Sequence, residues 1–469
     1  MNSTPHTSPP ATVAAPDIRQ VRRAIVASVI GNGFEWFDFT AYVYFSKIIA
    51  DVFFSVGGSV LSMSLALATF ASGFLVRPIG GVLLGRYADR VGRPRALSLV
   101  MLMMCAGTLL LGLVPGYATL GIAAPLLVLV ARLIQGLAIG AQFGLSSVMI
   151  VETAPPGKKM FYGSFNMSSQ ALAVLLSSGC GYLLTTYLAP ATLTHWGWRV
   201  PFLLGALVGP LGFYIRHHIA EPPEFEALRK QVQKGAARAF RLRDFVREQG
   251  DAALCAMGVM IIGTASNYLW NAYLPVYVER QLHLPLKSAL LGTFVGGVIN
   301  FLLFPLSGKL ADRFGAYRLF YPLVISWLLC TFPLFWYIVS APSLTRLFVA
   351  QIVASIFQVA IAGAHPGMLA TLFPAKARST GVALSYNLAV TLFGGLAPLT
   401  VATLTEVTGS HYVPAFYVSF AALLSLGLVK LTRTGQAALA TDRAEKQGFF
   451  RRSRAATVVE RAPSATTER

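Results

Sequence analysis

The sequence predicts an all-α membrane protein with twelve transmembrane helices arranged as two similar six-helix bundles. The chain has 469 residues, of which 55% are hydrophobic and only 12% charged, and its mean hydropathy is +0.62. Apolar runs recur along most of its length. These features exclude an ordinary soluble domain.

Each predicted helix is an apolar run of about 20 residues, the length that crosses a bilayer at a rise of about 1.5 Å per residue. The runs occupy roughly residues 23–50, 60–85, 96–115, 124–152, 161–188, 199–216, 251–280, 286–310, 318–339, 346–371, 379–407 and 414–432.

The distribution of charge predicts the orientation of the chain. The formal net charge is +19, but the basic residues concentrate in alternate loops, and the intervening loops near 51–59 and 116–123 contain none. By the positive-inside rule both termini are expected on the cytoplasmic side of the membrane. This placement argues against nucleic acid as a partner. The basic tail could contact anionic membrane lipid, although a solvated disordered tail is the simpler expectation.

Five regions follow from these runs. They are an N-terminal cytoplasmic tail (1–22), a first bundle (23–216), a cytoplasmic linker (217–250), a second bundle (251–432) and a basic C-terminal tail (433–469). Each bundle carries the same signature after its second span. The first reads "GRYADRVGRPRAL", Gly85 to Leu97, and the second "GKLADRFGAYRLF", Gly308 to Phe320. The recurrence indicates an internal duplication.

These paired turns resemble the loop signature of the major facilitator superfamily. The resemblance implies two bundles that rock about a site near the bilayer midplane. It also implies that the acidic residue of the first turn docks on the other half as a cytoplasmic latch. The second turn lacks the basic pair of the first, which makes it the weaker candidate. The expected gating residues are Asp89, Arg90, Arg93, Glu152, Asp312 and Arg313.

Several further stretches resemble the metabolite:proton symporter family. They include "GNGFEWFDF", "GFLVRPIGG", "RLIQGLAIGAQFG", "ETAPPGKKMFYGSF" and "WGWRVPFLLGA". The resemblance covers about residues 24–430 and is strongest to the citrate and tricarballylate branch. It implies import of a small organic anion with protons, either a tricarboxylate or a dicarboxylate such as α-ketoglutarate. A proline/betaine or shikimate symporter, an exporter and a non-transporting metabolite receptor remain alternatives.

The first span carries a polar stripe. Asn32, Glu35 and Tyr42 share one helical face with Phe39, and Asp38 adjoins it. An ionised carboxylate at the bilayer centre costs about 3 kcal/mol on insertion scales, so such a residue is a functional candidate by default. Desolvation favours the protonated form of a carboxylate until a cation approaches. Asp38 is therefore the expected proton-coupling residue, with Glu35 as the substitute.

The expected cation lies in the fourth span. Arg132, Gln135 and Gln142 fall on one face, and the superfamily resemblance implies that Arg132 pairs with Asp38. Substrate could then compete for Arg132 and release Asp38 to protonate, whereas a permanent structural ion pair is the alternative. Relatives commonly have Glu where this chain has Gln142. Because Gln does not titrate, coupling must rest on the first span, or sodium must replace the proton.

The remaining candidates are intramembrane polar residues that could bind substrate. Arg77 could meet an anion, or it could fix the "RPIGG" bend to a neighbouring helix. His365 with Gln358 is the preferred pair in the second half, because an imidazole can donate to a carboxylate; a packing histidine is the alternative. The other candidates are Asn166, Gln170, Asn267, Asn271 and Asn387.

No enzymatic signature accompanies these residues. The glycine pairs fall inside spans, where small residues let helices approach closely, and none precedes a basic residue as in a nucleotide-binding loop. The four cysteines lack metal-ligand spacing. The sequence therefore predicts a secondary transporter without a cofactor or a metal. A monomer is expected, with the substrate and membrane lipid as its partners.

Overall fold

The computed structural model describes residues 18–55, 58–91, 93–155, 157–210, 214, 242–374 and 378–442. Within these residues every regular element is a helix. The predictions for residues 1–17, for most of the linker and for 443–469 lie outside the described residues. Residues 433–442 of the predicted tail are helical.

Six helices make up the first half. They are α1 (Ile18–Tyr44), α2 in two parts (Ser59–Leu75 and Arg77–Val91), α3 (Arg93–Leu113), α4 (Ala123–Thr153), α5 (Lys159–Tyr187) and α6, which begins as Val200–Gly205. Short helices, among them Ser46–Phe53 and Pro190–His195, lie in the connections.

The second half repeats the pattern. Its helices are α7 (Leu242–Asn267, Tyr268–Tyr273 and Leu274–Gln281), α8 (Leu286–Phe314), α9 (Ala316–Ser340), α10 (Leu344–Ala362 and His365–Leu372), α11 (Arg378–Val390, Thr391–Gly395 and Ala397–Thr408) and α12 (Val413–Leu431).

Nine segments of the described chain are long and apolar enough to cross a membrane. They correspond to α2, α4, α5 and all six helices of the second half. Of the other three, α1 contains the polar stripe, α3 has a shorter apolar segment, Ser98–Leu113, and α6 is described only in part. The twelve predicted runs therefore each contain a helix, over its whole length or in part.

Two helices change their hydrogen-bond pattern in the middle. Tyr268–Tyr273 in α7 and Thr391–Gly395 in α11 are π-helical, and Pro275 and Pro398 follow them. Proline has no N–H to donate to the preceding turn, so it disturbs the helix on its N-terminal side. Such π-turns occur frequently at functional sites.

Glycines join α2 to α4 by direct backbone contact. A Cβ added to Gly136 would lie 1.9 Å from the carbonyl oxygen of Gly73, and one added to Gly140 would lie 1.9 Å from that of Arg77. On the other helix, a Cβ on Gly80 would lie 2.0 Å from the oxygen of Leu137. The glycines of the "RPIGG" and "IQGLAIG" segments are thus required for helix packing, in the manner of small-residue membrane contacts.

In the described part of the chain, helices of the two halves meet in several pairs, among them α5 with α10 and α4 with α10. α5 packs against α8, α1 against α7, α2 against α11, and α4 against α11. The helical residues 433–442 end at Asp442, whose Oδ2 accepts a hydrogen bond from the backbone N–H of Tyr317 at 2.8 Å. This contact attaches the start of the C-terminal tail to the turn between α8 and α9.

Candidate functional site

A buried ion pair joins α1 to α4. Arg132 Nη1 lies 2.8 Å from Asp38 Oδ2, and the two side chains are 0% and 1% exposed. Gln135 Nε2 donates to the same carboxylate oxygen at 2.9 Å and to Thr108 Oγ1 at 2.8 Å. The contact between Asp38 and Arg132 predicted from the sequence is therefore present. Its role in coupling remains a prediction.

The guanidinium group of Arg132 compensates the negative charge of the buried Asp38 carboxylate. Among the residues whose side chains are described, Asp38 is the only buried acidic one; the side chain of Glu35 lies outside them. Removing one partner of a buried ion pair costs about 3–5 kcal/mol, because the remaining charge is left without compensation. Any movement of Arg132 away from Asp38 therefore favours protonation of the carboxylate.

An aromatic cluster surrounds the two buried arginines. The guanidinium carbon of Arg132 lies 4.0 Å from the centre of the Tyr42 ring, and that of Arg77 lies 3.9 Å from the centre of the Phe74 ring. Phe39 contacts both arginines. Such cation–π contacts are worth about 2 kcal/mol or more when they are desolvated. They stabilise the guanidinium groups away from water.

A second polar cluster joins α1, α4 and α5. Asn32 Nδ2 donates to Ser169 Oγ at 2.7 Å and to Asn166 Oδ1 at 3.3 Å. Asn166 in turn donates to Ser146 and Ser147, each at 3.2 Å. These residues bond to one another, as buried polar groups in a membrane helix must, and the cluster holds the three helices together.

A cavity of about 30 Å³ lies between the two halves. Five residues predicted to bind substrate line it: Gln170, Asn267, Asn271, Gln358 and His365. The volume accommodates one or two water molecules and is far too small for a tricarboxylate. Substrate binding at this place therefore requires the halves to move apart.

An amide network forms the wall of the cavity in the second half. Asn271 Nδ2 donates to Gln358 Oε1 at 2.6 Å and to Asn267 Oδ1 at 2.8 Å. Gln351 Nε2 donates to Asn271 Oδ1 at 3.3 Å. Neither ring nitrogen of His365 has a hydrogen-bond partner among the described residues. A buried imidazole without partners is costly unless a ligand or water meets it.

The other predicted substrate ligands do not line the cavity. They are Asn32, Tyr42, Arg77, Arg132, Gln135, Gln142, Asn166 and Asn387. Several of them bond instead to neighbouring helices: Tyr42 donates to Ala66 O at 3.0 Å and Asn387 donates to Gly140 O at 2.7 Å. Direct binding of substrate by these residues remains a prediction that requires another arrangement of the helices.

Residues outside the predicted set of substrate ligands also line the cavity. Trp36 comes from α1, Asn300 from α8, Tyr268 from α7 and Tyr386 from α11. Tyr268 packs against Trp36 and against Phe74, with ring centres 5.2 and 5.5 Å apart. The Asn300 signal was available, because a lone amide in an apolar span is unusual.

At one end of the bundle, a hydrogen bond to a carbonyl that a proline leaves free joins α1 to α7. Pro275 lacks the N–H that would bond the carbonyl of Asn271 four residues earlier. The hydroxyl of Tyr44 donates to that carbonyl instead, at 2.6 Å. Beside it, Lys47 Nζ lies 3.4 Å from Glu279 Oε1, so Lys47 contacts the other half as well as reaching toward water. These contacts close the end that the sequence assigns to the outside.

The same arrangement recurs between α2 and α11. Pro78 leaves the carbonyl of Phe74 without its usual helical donor, and Thr391 Oγ1 donates to that carbonyl at 2.8 Å. Both hydrogen bonds therefore cross between the halves at carbonyls that lie four residues before a proline.

Two contacts close the opposite end. Arg378 Nη1 lies 2.9 Å from Glu152 Oε1. The carboxylate of Asp312 accepts from the backbone N–H groups of Met160 and Phe161, at 3.0 and 2.9 Å. The first N–H groups of a helix lack internal partners and favour an anion, so the start of α5 is a suitable docking place for the Asp312 carboxylate.

Of the other expected gating residues, only Arg313 has a described side chain. Arg313 stacks on its neighbour Phe314, at 5.4 Å from the ring centre. The side chains of Asp89, Arg90 and Arg93 lie outside the described residues. The second turn was expected to be the weaker latch. Of the two turns, however, it is the one for which the structure describes a contact with the other half, through Asp312.

Two six-helix halves, in contact at both ends of a small cavity lined by apolar and amide side chains and with a buried ion pair inside the membrane, are the architecture of a secondary transporter. Comparison with protein families matches residues 29–345 to the Major Facilitator Superfamily. The chain belongs to this superfamily. It is a multi-pass protein of the bacterial inner membrane and not an enzyme.

Individual relatives narrow the comparison. The chain is 34% identical to the citrate-proton symporter of Klebsiella pneumoniae over 90% of its own length and 94% of the relative's. It is 30% identical to the glycine betaine/proline/ectoine/pipecolic acid transporter of Dickeya dadantii, over 87% and 83%. In fold it is similar to the inward-open xylose transporter XylE of E. coli, with a TM-score of 0.66, 19% identity and coverage of 90% and 99%.

Proposed function

We propose that the protein imports a small organic anion together with protons by alternating access. A citrate-like tricarboxylate is the first candidate and a dicarboxylate the second. The observation that carries the proposal is the buried pair of Asp38 and Arg132. In such a pair the cation can bind an anionic substrate, and the carboxylate that it releases can bind a proton. Relatives described as citrate-proton symporters support it.

Coupling follows from competition for the guanidinium group. When the halves separate, an anion attracts Arg132, which then leaves Asp38 without compensation. Asp38 takes up a proton, and the neutral carboxyl tolerates the apolar surroundings. Gln142 cannot titrate, so this carboxylate is the proposed proton carrier. The proton leaves when the substrate departs and Arg132 returns.

The path from the arginines to the cavity passes through the aromatic cluster. Phe74 contacts Arg77 on one side and Tyr268, a cavity residue, on the other. Displacement of these rings would bring guanidinium groups within reach of a bound anion. Asn271, Gln358 and His365 would donate to its other oxygens from the second half.

The test is uptake of radiolabelled citrate into proteoliposomes under separately imposed proton and sodium gradients. The expected result is accumulation against a gradient, driven by protons, with tricarboxylates as the strongest competitors. Accumulation also separates a transporter from a metabolite receptor, which cannot produce it. Accumulation driven only by sodium would overturn the proton assignment, and the absence of citrate uptake would overturn the substrate.

An osmolyte symporter is the second candidate. Trp36, Tyr268 and Tyr386 line the cavity, and aromatic faces attract quaternary ammonium groups. No arginine or lysine of the described residues lines it, which suits a zwitterion. Relatives that transport betaine and proline support this candidate. Strong competition by betaine, with none by citrate, would favour it over the anion.

A further inference from the structure

The side chain of Asn300 in α8 has an unmet hydrogen-bonding group at the cavity. The residue is 2% exposed and lines the cavity. Its Oδ1 has no hydrogen-bond partner among the described residues. A buried amide oxygen in this situation is destabilising unless a donor meets it. An occupant of the cavity that carries a hydrogen-bond donor would satisfy this oxygen.

Close packing fixes the position of Asn300. A Cβ on Gly296, one turn earlier, would lie 2.5 Å from Gln351 Nε2 in α10. A Cβ on Gly297 would lie 3.0 Å from Leu175 Cα in α5. Because residues three and four apart share a helical face, Asn300 lies between α5 and α10 on a helix held tightly against both. It is a rigid position for recognition.

Trp36 presents the complementary group from α1. It is 4% exposed, lines the cavity, and its indole Nε1 has no partner among the described residues. The ring is held by Tyr268, with centres 5.2 Å apart. An indole N–H can only donate a hydrogen bond, so it requires an acceptor such as a carboxylate oxygen.

The two residues together specify the chemistry of the ligand. The Asn300 oxygen can only accept, and a fully ionised carboxylate has no hydrogen to give it, whereas a hydroxyl group does. Trp36, Gln170 and Gln358 line the same cavity and each has a donor without a partner among the described residues; such donors match carboxylate oxygens. We propose that Asn300 recognises the hydroxyl group of a hydroxy-polycarboxylate and that Trp36 donates to one of its carboxylates.

This inference rests on the proposed function and deepens it, since it separates substrates within the organic anions. The test compares citrate with tricarballylate, its analogue without the hydroxyl, by calorimetric binding to the purified protein and by uptake. A site built to bond a hydroxyl rejects the analogue that lacks it. We expect the wild type to prefer citrate by about tenfold, and Asn300→Leu to reduce that preference to below about twofold.

The second variant shows a different pattern. Trp36→Phe keeps the aromatic ring and removes the N–H, so it should weaken both ligands by about tenfold and leave their ratio unchanged. Thr331→Val is the matched control. Thr331 is buried in α9, bonds the carbonyl of Trp327 in its own helix, and does not line the cavity. Loss of the Thr331 hydroxyl should leave the affinities for citrate and tricarballylate, and the ratio between them, unchanged.

The outcomes separate the two proposals. If the wild type neither binds nor accumulates citrate, the proposed function fails. If citrate is accumulated but the wild type does not prefer it, or Asn300→Leu keeps the full preference, only the hydroxyl assignment is overturned. If Asn300→Leu does not give a monodisperse protein, Asn300→Ser is measured in the same assays and decides whether the hydroxyl assignment holds. Its smaller side chain cannot reach the same hydroxyl, so the preference should again fall.

Discussion

Neutralising Asp38 is the perturbation that addresses the coupling mechanism. The substitution Asp38→Asn keeps the size of the side chain and one accepting oxygen, so Arg132 Nη1 at 2.8 Å and Gln135 Nε2 at 2.9 Å retain an acceptor. It removes the charge and the capacity to bind a proton. The effect on packing should therefore be small and the effect on electrostatics large.

The magnitude follows from the burial of the pair. Both partners are at most 1% exposed, and loss of one charge of such a pair costs about 3–5 kcal/mol. A shift of 3 kcal/mol toward the state in which Arg132 is released is about a hundredfold change in the equilibrium. We expect a lower unfolding temperature for Asp38→Asn. The double variant with Arg132→Gln should be more stable than Asp38→Asn alone.

The assay separates proton coupling from movement of substrate. In proteoliposomes, Asp38→Asn should lose accumulation driven by an imposed proton gradient while it retains exchange of internal for external substrate, which needs no net proton transfer. Asp51→Asn is the control, because Asp51 is exposed and lies outside the pair. Normal proton-driven accumulation by Asp38→Asn would refute the reasoning, as would an equal loss in the control.

Three further predictions concern the gates and the packing. Tyr44→Phe removes the donor to Asn271 O, a hydrogen bond worth about 1 kcal/mol, and should increase spin-label distances across that end; unchanged distances would contradict this role. Glu152→Lys and Arg378→Glu should each reduce uptake by about half, since partly exposed ion pairs are worth up to about 1 kcal/mol. The double variant, in which the two charges are exchanged, should restore uptake. If its uptake is no better than that of either single variant, the pair is excluded as a gate. Gly140→Val should prevent folding, because the added Cβ would meet the Arg77 carbonyl at 1.9 Å; a normal monodisperse elution profile would disprove the contact.

Much of the fold could be predicted because lipid restricts what a chain can do. Backbone groups must be bonded within each span, so apolar runs of the right length are helices, and each predicted run contains one. The two copies of the turn signature gave the two halves. The polar faces of the first and fourth spans indicated Asp38 and Arg132 as functional candidates, and the resemblance to the superfamily implied that the two residues pair.

The composition of the cavity could be predicted only in part. Gln358 and His365 line it as expected, but Arg77 and Arg132 lie behind Phe74 and Phe39. Periodicity shows which residues share a face of one helix. It does not show how far that helix is rotated toward its neighbours, because rotation is set by packing between helices.

The contact made by Asp312 shows the same limit at a gate. The sequence suggested a weak latch because the second turn lacks the basic pair of the first. The partner is instead the free backbone N–H groups at the start of α5. Every helix has such groups, so the pattern of side chains gave no indication of which helix would meet this carboxylate.

The most direct test of proton coupling through Asp38 is the movement of protons that accompanies the substrate. Citrate is added outside proteoliposomes that enclose a pH-sensitive dye, with no imposed gradient and no sodium. The expected result is acidification of the interior that follows the entry of labelled citrate and is abolished by Asp38→Asn. Entry of citrate without acidification, or the same acidification in Asp38→Asn, would contradict the proposed mechanism.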